Sequence, residues 1–424
     1  MNINCQGLRN KKSEFENLLY YTKPDVVCGN ESWLTKDVKS SEVFPTNDYE
    51  VYRKDRKTLG GGVFILVKKN LISIEMEENS TDCEIIWVKI QLKKAKELYI
   101  CSFYMPHRDF NTLLEFEKSV EKANPKGTKN VIICGDFNCP DINWNFGFTY
   151  EHAQNKQVQD KLIDIINENS FEQLQEKNTR ENSLLDLTLA TNPSLVRNLN
   201  NIPGIGDHEA IIIDSFVRPV FSIQKKKKCY NFRKADWPSL QSYCEKLSKS
   251  IITRSNLGHN IFQLWDLFKS SLNLGISQYV PSKFVKKRSS LPWVNKHLLK
   301  LIKKKTKLYK EAKTSGSWNN YKEHQKLCRK EMRKAENDFV NKTINDGLAE
   351  NNQKPFWRYI KSRKCDNIGV APLKNKGKLE SEPKKKADIL LNHFKSVFTK
   401  DDSTNLPPLA IGLELVIVVK HSSL

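Results

Sequence analysis

No two of the ten cysteines form a C-x-x-C pair, and none of their groupings has the spacing of a zinc site. Cys28, Cys101 and Cys134 stand instead in apolar, strand-like contexts, where cysteine behaves as a small buried hydrophobe. Long hydrophobic runs are also missing. The N-terminus has no apolar signal-peptide core, and nothing approaches the ~18 apolar residues of a membrane span. Leu415–Val419, near the C-terminus, is far too short to cross a bilayer. No membrane partner is therefore expected, and a reducing intracellular compartment, nucleus or cytoplasm, is the default.

What the chain has in excess is positive charge, and it lies on one side. Over the 424 residues the net charge is +21, made of about −5 in residues 1–220 and about +26 in residues 221–424. A mildly acidic front suits a metal site, and a basic back suits a polyanion such as nucleic acid. A hydrophobic content of 38% is enough for a real core, and the length allows two or three domains.

The front alternates apolar strands with amphipathic helices. Helices are expected over Lys11–Tyr21, Asn111–Ala123 and Glu151–Asn169. Strands are expected at Val26–Cys28, Tyr49–Arg53, Gly62–Lys68, Glu84–Gln91, Leu98–Tyr104, Val131–Cys134, Leu184–Leu189 and Ala210–Ile213. About nine strands with helices between only some of them imply mixed sheets covered by helices. The pattern changes after Phe216. Lys225–Lys228 reads as a surface linker, Trp237–Tyr279 as helical, and Trp293–Asp346 as a long basic helical stretch. Trp293, Leu298, Leu301, Ile302, Leu308 and Tyr309 recur there at helical spacing, which marks a packing face. The tail, Cys365–Leu424, holds one expected helix at Lys384–Phe398. The division is thus 1–215, 216–290, 291–364 and 365–424.

Gly135-Asp136-Phe137-Asn138 closes the Val131–Cys134 run, at the strand end where α/β folds place their chemistry. Asp136 offers a base or metal ligand and Asn138 an amide donor for an anionic oxygen. Five further polar segments accompany this one. Asn4 lies near the start, Glu31 follows the strand ending at Cys28, and Tyr104 ends a strand. Asp186 lies inside an apolar strand, and Asp207-His208 precedes Ala210–Ile213. Singly each has an ordinary reading: a turn, a surface acid, a core phenol, a strand acid, a loop histidine. Together, most of them fall at or just past strand ends.

In order and local pattern these segments resemble the endonuclease/exonuclease/phosphatase family of metal-dependent phosphoesterases. The family's elements look like N-x-x-G-L, a strand followed by E-x-W, a strand-end Tyr, G-D-F-N, an Asp-bearing strand and S-D-H. Pro24-Asp25-Val26-Val27, Glu31-Ser32-Trp33-Leu34, Asp55-Arg56 with Gly60-Gly61-Gly62, and Thr179-Arg180 before Asp186 are similar to endonuclease domains of LINE-type (non-LTR) retrotransposons. Leu291-Pro292-Trp293, Phe356–Lys361 and Asn392-His393-Phe394 resemble the segment that joins such a domain to reverse transcriptase. The likeness implies an α/β (α+β) four-layer sandwich, two mixed β-sheets flanked by helices, followed by a basic, mostly helical extension.

It also implies a chemistry. Glu31 is the first expected ligand of Mg²⁺, with Mn²⁺ as a substitute, because a hard cation favours carboxylate. Asp207 is the second expected ligand, and Asn4 orients that shell. Asp136 activates water, Asn138 and Tyr104 donate to the phosphate, and His208, oriented by Asp186, contacts it. DNA is the expected substrate, nicked to leave a 3′-hydroxyl, and RNA is a further candidate for the basic half. Two features depart from the pattern. Asn4 is only three residues from the start, and Gly206 stands where the family has serine, so impaired activity is expected. The chain also stops before any reverse-transcriptase palm and has no paired aspartates of the YxDD kind. A truncated, inactive relic that only binds nucleic acid, or a relative such as an abasic-site repair nuclease, are the alternatives. Nothing in the sequence bears on oligomeric state.

Overall fold

The computed structural model describes residues 1–398 except 59, 96, 126, 128, 222–227, 285–290, 350–351, 355, 358, 361–372, 376–377 and 381–382. Alternating apolar side chains build its layers. In β4 (Val63–Lys68), Phe64 and Leu66 face one way, while Val63, Ile65 and Val67 face the other. β4 belongs to a six-stranded sheet in the order β13 (Val196–Ile202), β14 (Ala210–Ser215), β1 (Asn2–Asn4), β2 (Val26–Asn30), β4, β3 (Tyr49–Lys54). A second six-stranded sheet runs β11 (Glu172–Gln173), β12 (Asp186–Ala190), β8 (Asn130–Asp136), β7 (Glu97–Tyr104), β6 (Glu84–Gln91), β5 (Ser73–Glu75).

Each sheet contains one parallel pair, β1–β2 and β7–β8, among antiparallel neighbours. Parallel neighbours need a crossover, and here each crossover carries a helix. These are α1 (Lys12–Thr22) and α3 (Phe110–Ala123), the one-turn α2 (Ser40–Val43) lying between them in the chain. α1 sets Phe15 and Leu19 on Ile3, Val27, Phe64 and Leu66 of the first sheet. α3 and α4 (Lys156–Glu168) set Phe116, Val120, Leu162 and Ile165 on Trp87, Phe103, Ile133 and Leu187 of the second. Between the sheets, Cys28, Ile65 and Val67 meet Val88, Ile100, Ile132 and Cys134. Helix, sheet, sheet and helix make the expected four layers. At Gly135 a Cβ would fall 2.0 Å from the Phe103 carbonyl oxygen, so glycine lets β7 and β8 close up beside Asp136.

Several elements differ from the sequence expectation. β1, β5 and β11 are three, three and two residues long, below what periodicity can register. β13 is a polar edge strand, with Arg197, Asn198 and Asn200 exposed. The strand expected from Leu184 begins at Asp186, which pairs with Asp136. The helix expected from Glu151 begins at Lys156, after Asn155 turns left-handed at φ +54°.

Trp237–Tyr279 is two helices, α5 (Trp237–Asn256) and α6 (Ile261–Tyr279). The break falls at Gly258 and is sealed by an Asn260–Gln263 capping box. Trp293–Asp346 likewise divides into α7 (Lys296–Ser315) and α8 (Asn319–Ala349), because Gly316 turns left-handed and caps α7. The apolar stripe packs as expected: Leu298 and Ile302 meet Cys328 and Met332, with Tyr21 of α1 against them. Arg329 of α8 pairs with Glu14 at 2.8 Å, so α7 and α8 are fastened to the sheet-bearing body.

Lys228 opens β15 (Lys228–Tyr230), which pairs with β16 (Ser282–Phe284); the other lysines of that run lie outside the described residues. So do Arg358, Lys361, Cys365 and Leu415–Val419. The chain divides into two units, Met1–Lys364 and Cys365–Leu424. In the second, β17 (Leu373–Asn375) pairs with β18 (Lys378–Glu380), and a helix spans Pro383–Val397. Among the described residues no helix is long and apolar enough to cross a membrane.

Candidate active site

The strand ends of β1 and β2 do not stop at their last paired residues. Cys5 N donates to Asn30 O at 2.9 Å, Gly7 N to Glu31 O at 2.9 Å and Leu8 N to Ser32 O at 3.0 Å. The two short motifs Asn4–Leu8 and Glu31–Leu34 are therefore one extended ladder. The Trp33 ring packs against Gly7, where a Cβ would come within 2.7 Å of the indole and where φ is +88°. That contact explains why a glycine in one motif accompanies a tryptophan in the other. On the far side, Gly61 O and Gly62 O accept from Trp33 N and Ser32 N at 2.9 and 3.2 Å. Glu84 accepts from Gly62 N and pairs with Arg56 at 2.8 Å.

This scaffold holds Asn4 and Glu31 against the end of the second sheet. Asn4 Nδ2 donates to Glu31 Oε1 at 2.8 Å and to Asp136 Oδ2 at 2.9 Å, while Asn4 Oδ1 accepts from Gln6 N at 3.1 Å. Asn4 thus bridges two carboxylates through its NH₂ group. Asp136 is directly opposite Asp186 on β12 and beside Tyr104 on β7. Asp186 Oδ2 accepts from His208 Nδ1 at 2.7 Å, and His208 Nε2 stands 3.9 Å from Asp136 Oδ2, too far for a hydrogen bond. Asn138 N donates to Asp136 Oδ1 at 3.1 Å and its Nδ2 to Met105 O at 2.7 Å. Since Nδ2 carries two hydrogens, one is left for a ligand.

Of the expected residues, Asn4, Glu31, Asp136, Asp186 and His208 form one continuous chain of contacts, with Tyr104 and Asn138 beside Asp136. Asp207 stands apart: its carboxylate is 37% exposed and is held by Arg180 Nη2 at 2.8 Å. Three supports carry no site role in the sequence analysis, where Thr179 stands only as part of a motif. Thr179 Oγ1 accepts from Leu185 N at 3.2 Å and Asp186 N at 3.1 Å, and Thr179 O accepts from Glu209 N at 2.7 Å. Lys11 Nζ holds the first loop through Cys5 O at 3.1 Å and Gln6 O at 2.9 Å. Glu84 is the third, and its signal was its place opposite Tyr104 in the β6–β7 ladder. At Gly206 a Cβ would meet Gln6 Cβ at 3.3 Å, so a side chain there would require Gln6 to give by a few tenths of an ångström.

Among the described residues, five of the nine non-glycine positions with positive φ lie in these loops: Gln6, Glu31, Trp33, Asn138 and Glu181. Each costs on the order of 1–3 kcal/mol, and such strain gathers where side chains must be aimed.

Burial sets the electrostatics. Asp136, 1% exposed, is pushed up to about 8 by desolvation and then by the charge of Asp186, against the pull of His208 and Asn4. Burial alone would lower His208, but Asp186, then Asp136 and Asp207, lift it to about 9. The Tyr104 phenol is driven far above its usual range by burial and by Glu31 and Asp136. Asp136, Asp186 and His208 each place a ligand atom within 4.8 Å of the others. His208 is nonetheless a cation near neutral pH, so this trio suits holding and moving a proton better than ligating metal. Glu84 is already paired with Arg56 and Asp136 is held largely protonated, which leaves Glu31 as the carboxylate a divalent cation could use.

Residues 98–212 match the family described as "Endonuclease-reverse transcriptase". Among solved structures, the endonuclease domain of TRAS1, a telomere-specific non-LTR retrotransposon, is similar at 15% identity and a TM-score of 0.41, covering 52% of this chain and 96% of that one. The Xenopus laevis APE2 catalytic domain is similar at 14% identity and 0.42, covering 53% and 93%. An AP endonuclease from Archaeoglobus fulgidus is similar at 15% and 0.39, covering 51% and 98%. No curated protein matches.

Proposed function

We propose that the sheet-bearing part of this chain is a member of the endonuclease/exonuclease/phosphatase superfamily of phosphoesterases, in keeping with the family match over residues 98–212, and that it nicks DNA and leaves a 3′-hydroxyl. The observation that carries this reading is the hydrogen-bonded run Glu31–Asn4–Asp136 with the His208–Asp186 pair 3.9 Å from it, assembled from both sheets at one rim. Glu31 would hold Mg²⁺, or Mn²⁺ in its place, with Asp207 joining it once released from Arg180. A divalent cation supplies charge neutralisation at the phosphate and leaving oxygen.

The chain's own residues do the rest. Asp136, fixed by Asn4 and by Asn138 N, accepts a proton from the attacking water. His208 donates its Nδ1–H to Asp186 and its Nε2–H to a phosphate oxygen. As the water oxygen bonds to phosphorus, the P–O3′ bond breaks and the leaving oxygen takes a proton from solvent to become the 3′-hydroxyl. Asn138 Nδ2 and the Tyr104 hydroxyl donate to the other oxygens; Tyr104 does so as a neutral phenol, since its pKa is raised. The basic α7 and α8 would track a nucleic-acid backbone, DNA first and RNA as a second candidate. The division at 215, 290 and 364 belongs to the same reading.

Supercoiled plasmid decides it. With Mg²⁺ the protein should produce open circles whose ends a polymerase extends. Chelator, Glu31→Gln and His208→Ala should each slow nicking at least 100-fold. If the unmutated protein nicks no faster than these variants, the reading is wrong. Strong preference for an abasic oligonucleotide over intact plasmid would replace it with a repair activity.

A further inference from the structure

Four residues past Asn138, the chain forms a small hairpin, β9 (Ile142–Asn143) and β10 (Phe148–Thr149). It displays rings outward. Phe146 is 79% exposed, Phe148 45% and Tyr150 40%, and His152 is exposed beyond them. The rings form a ladder: Phe146 lies 6.4 Å from Phe148 at 30°, Phe148 5.4 Å from Tyr150 at 82°, and Tyr150 5.5 Å from His152 at 18°.

The base under this ladder is firm. Ile142 and Thr149 are buried, and Trp144 packs into the core of the second sheet. Asp141 N donates to Gln159 Oε1 at 2.9 Å, and Gln159 Nε2 donates back to Asp141 Oδ2 at 3.0 Å. Asn143 caps the turn through Asn145 N and Phe146 N and donates to the Tyr150 hydroxyl at 3.0 Å. Rings held out on a rigid mount are aimed at something, because leaving them in water gives up the gain from burying them.

Their position says at what. β7 and β8 are parallel, so the loops after Tyr104 and after Asp136 leave the sheet at the same end. Arg108 of the first loop pairs with Asp141 of the second at 3.6 Å, and Asn155 Nδ2 donates to Arg108 O at 3.4 Å. The hairpin is therefore built onto the site's rim. Asn143 is within about 18 Å of Asn138 by chain length alone, roughly five nucleotide steps along one strand.

We propose that Phe146, Phe148 and Tyr150 form a stacking platform for unpaired nucleobases that flank the phosphate held at the site. The proposal rests on the reading of that site as a nucleic-acid phosphodiesterase. Every base has a π face, so such a ladder accepts any sequence but requires bases freed from their pairs. It would favour substrates with a frayed or single-stranded stretch beside the cut, and it would hold the strand while Asp136 and His208 act on the phosphate.

Binding in chelator tests this apart from catalysis. A single-stranded oligonucleotide carrying 2-aminopurine and a blunt duplex of equal charge are titrated against the full chain. Stacking should quench 2-aminopurine. Phe146→Ala and Phe148→Ala should each weaken single-strand binding about 5- to 100-fold and leave duplex binding little changed. The salt slope should stay the same, because no phosphate contact is lost. Phe148→Tyr should restore both quenching and affinity, which a folding defect would not allow. Unaltered affinity in the alanine variants, or equal losses on strand and duplex, overturns the proposal. So does a dimer that Phe146→Ala converts to monomer, since the rings would then face a second copy. A protein that quenches the probe but never nicks plasmid would sink the nuclease reading and leave the platform standing.

Discussion

Asp136 and Asp186 stand directly opposite each other across the β8–β12 ladder, and His208 bonds the second of them at 2.7 Å. Two buried carboxylates at one register position repel each other, and the imidazolium is what makes the pair tolerable. The fold thus keeps a proton on this trio that an unfolded chain would release at lower pH.

Linkage fixes the direction of the pH effect on stability. Asp136 moves from 3.8 to about 8 on folding, so its contribution is lost as pH rises through that window. His208 moves from 6.5 to about 9, so the stability it adds is complete below 6.5 and gone above 9. Both signs agree. Melting temperature measured in chelator should fall steadily from pH 6.5 to 9, and a flat or rising profile would contradict the buried trio.

The same two groups should shape catalysis. In the proposed mechanism Asp136 acts ionised and His208 acts protonated, so nicking should rise toward pH 8 and decline above about 9. A divalent cation beside Asp136 favours its charged form, so raising Mg²⁺ should move the acidic limb to lower pH. An acidic limb indifferent to Mg²⁺ would separate Asp136 from the metal.

Asp186→Asn removes the largest influence that raises His208. The alkaline limb should then shift from about 9 toward 6.5, and nicking at pH 8 should drop roughly 10²–10⁴-fold. Proton NMR titration of the imidazole reads the shift directly. An unmoved His208 would show that the 2.7 Å contact does not govern its charge.

Glu209 links this trio to the basic helices. It follows His208 in the chain, accepts from Lys313 at 2.8 and 2.9 Å and from the Tyr309 hydroxyl, and Lys305 reaches Gly204 O at 3.4 Å. Glu209→Ala should lower kcat several-fold by loosening the His208 loop, with KM nearly constant, and should speed hydrogen exchange in α7. A rise in KM alone would place Glu209 in substrate binding instead.

Gly135→Ala tests the steric argument for the strand pair. A methyl group 2.0 Å from Phe103 O would force β7 and β8 apart, at a cost of about 3 kcal/mol or more in urea denaturation. A loss below about 1 kcal/mol would show that the ladder yields freely.

Much of the fold was legible because burial imposes period. Val63–Lys68, Glu84–Gln91 and Glu97–Tyr104 alternate or run apolar long enough to declare themselves, and α1, α3 and α4 carry one apolar stripe each. β1 could not be seen, since three residues contain no period, although its whole length is buried. The hairpin at Ile142–Thr149 was hidden for a different reason. Its rings face solvent, and each of its strands is only two residues long, so the buried Ile142 and Thr149 show no period.

The sequence by itself determined which polar groups stand at or beside strand ends: Glu31, Tyr104, Asp136 and His208. A strand end is local, written in where an apolar run stops. Only the tertiary structure decided which of them touch. It turned Asn4's NH₂ toward two carboxylates, put Asp186 opposite Asp136, and spent Asp207 on Arg180. Those outcomes depend on register between strands about 50 to 130 residues apart and on backbone turned left-handed at Glu31 and Asn138. Neither is encoded in any short stretch of chain, because register is chosen by how whole sheets bury their faces.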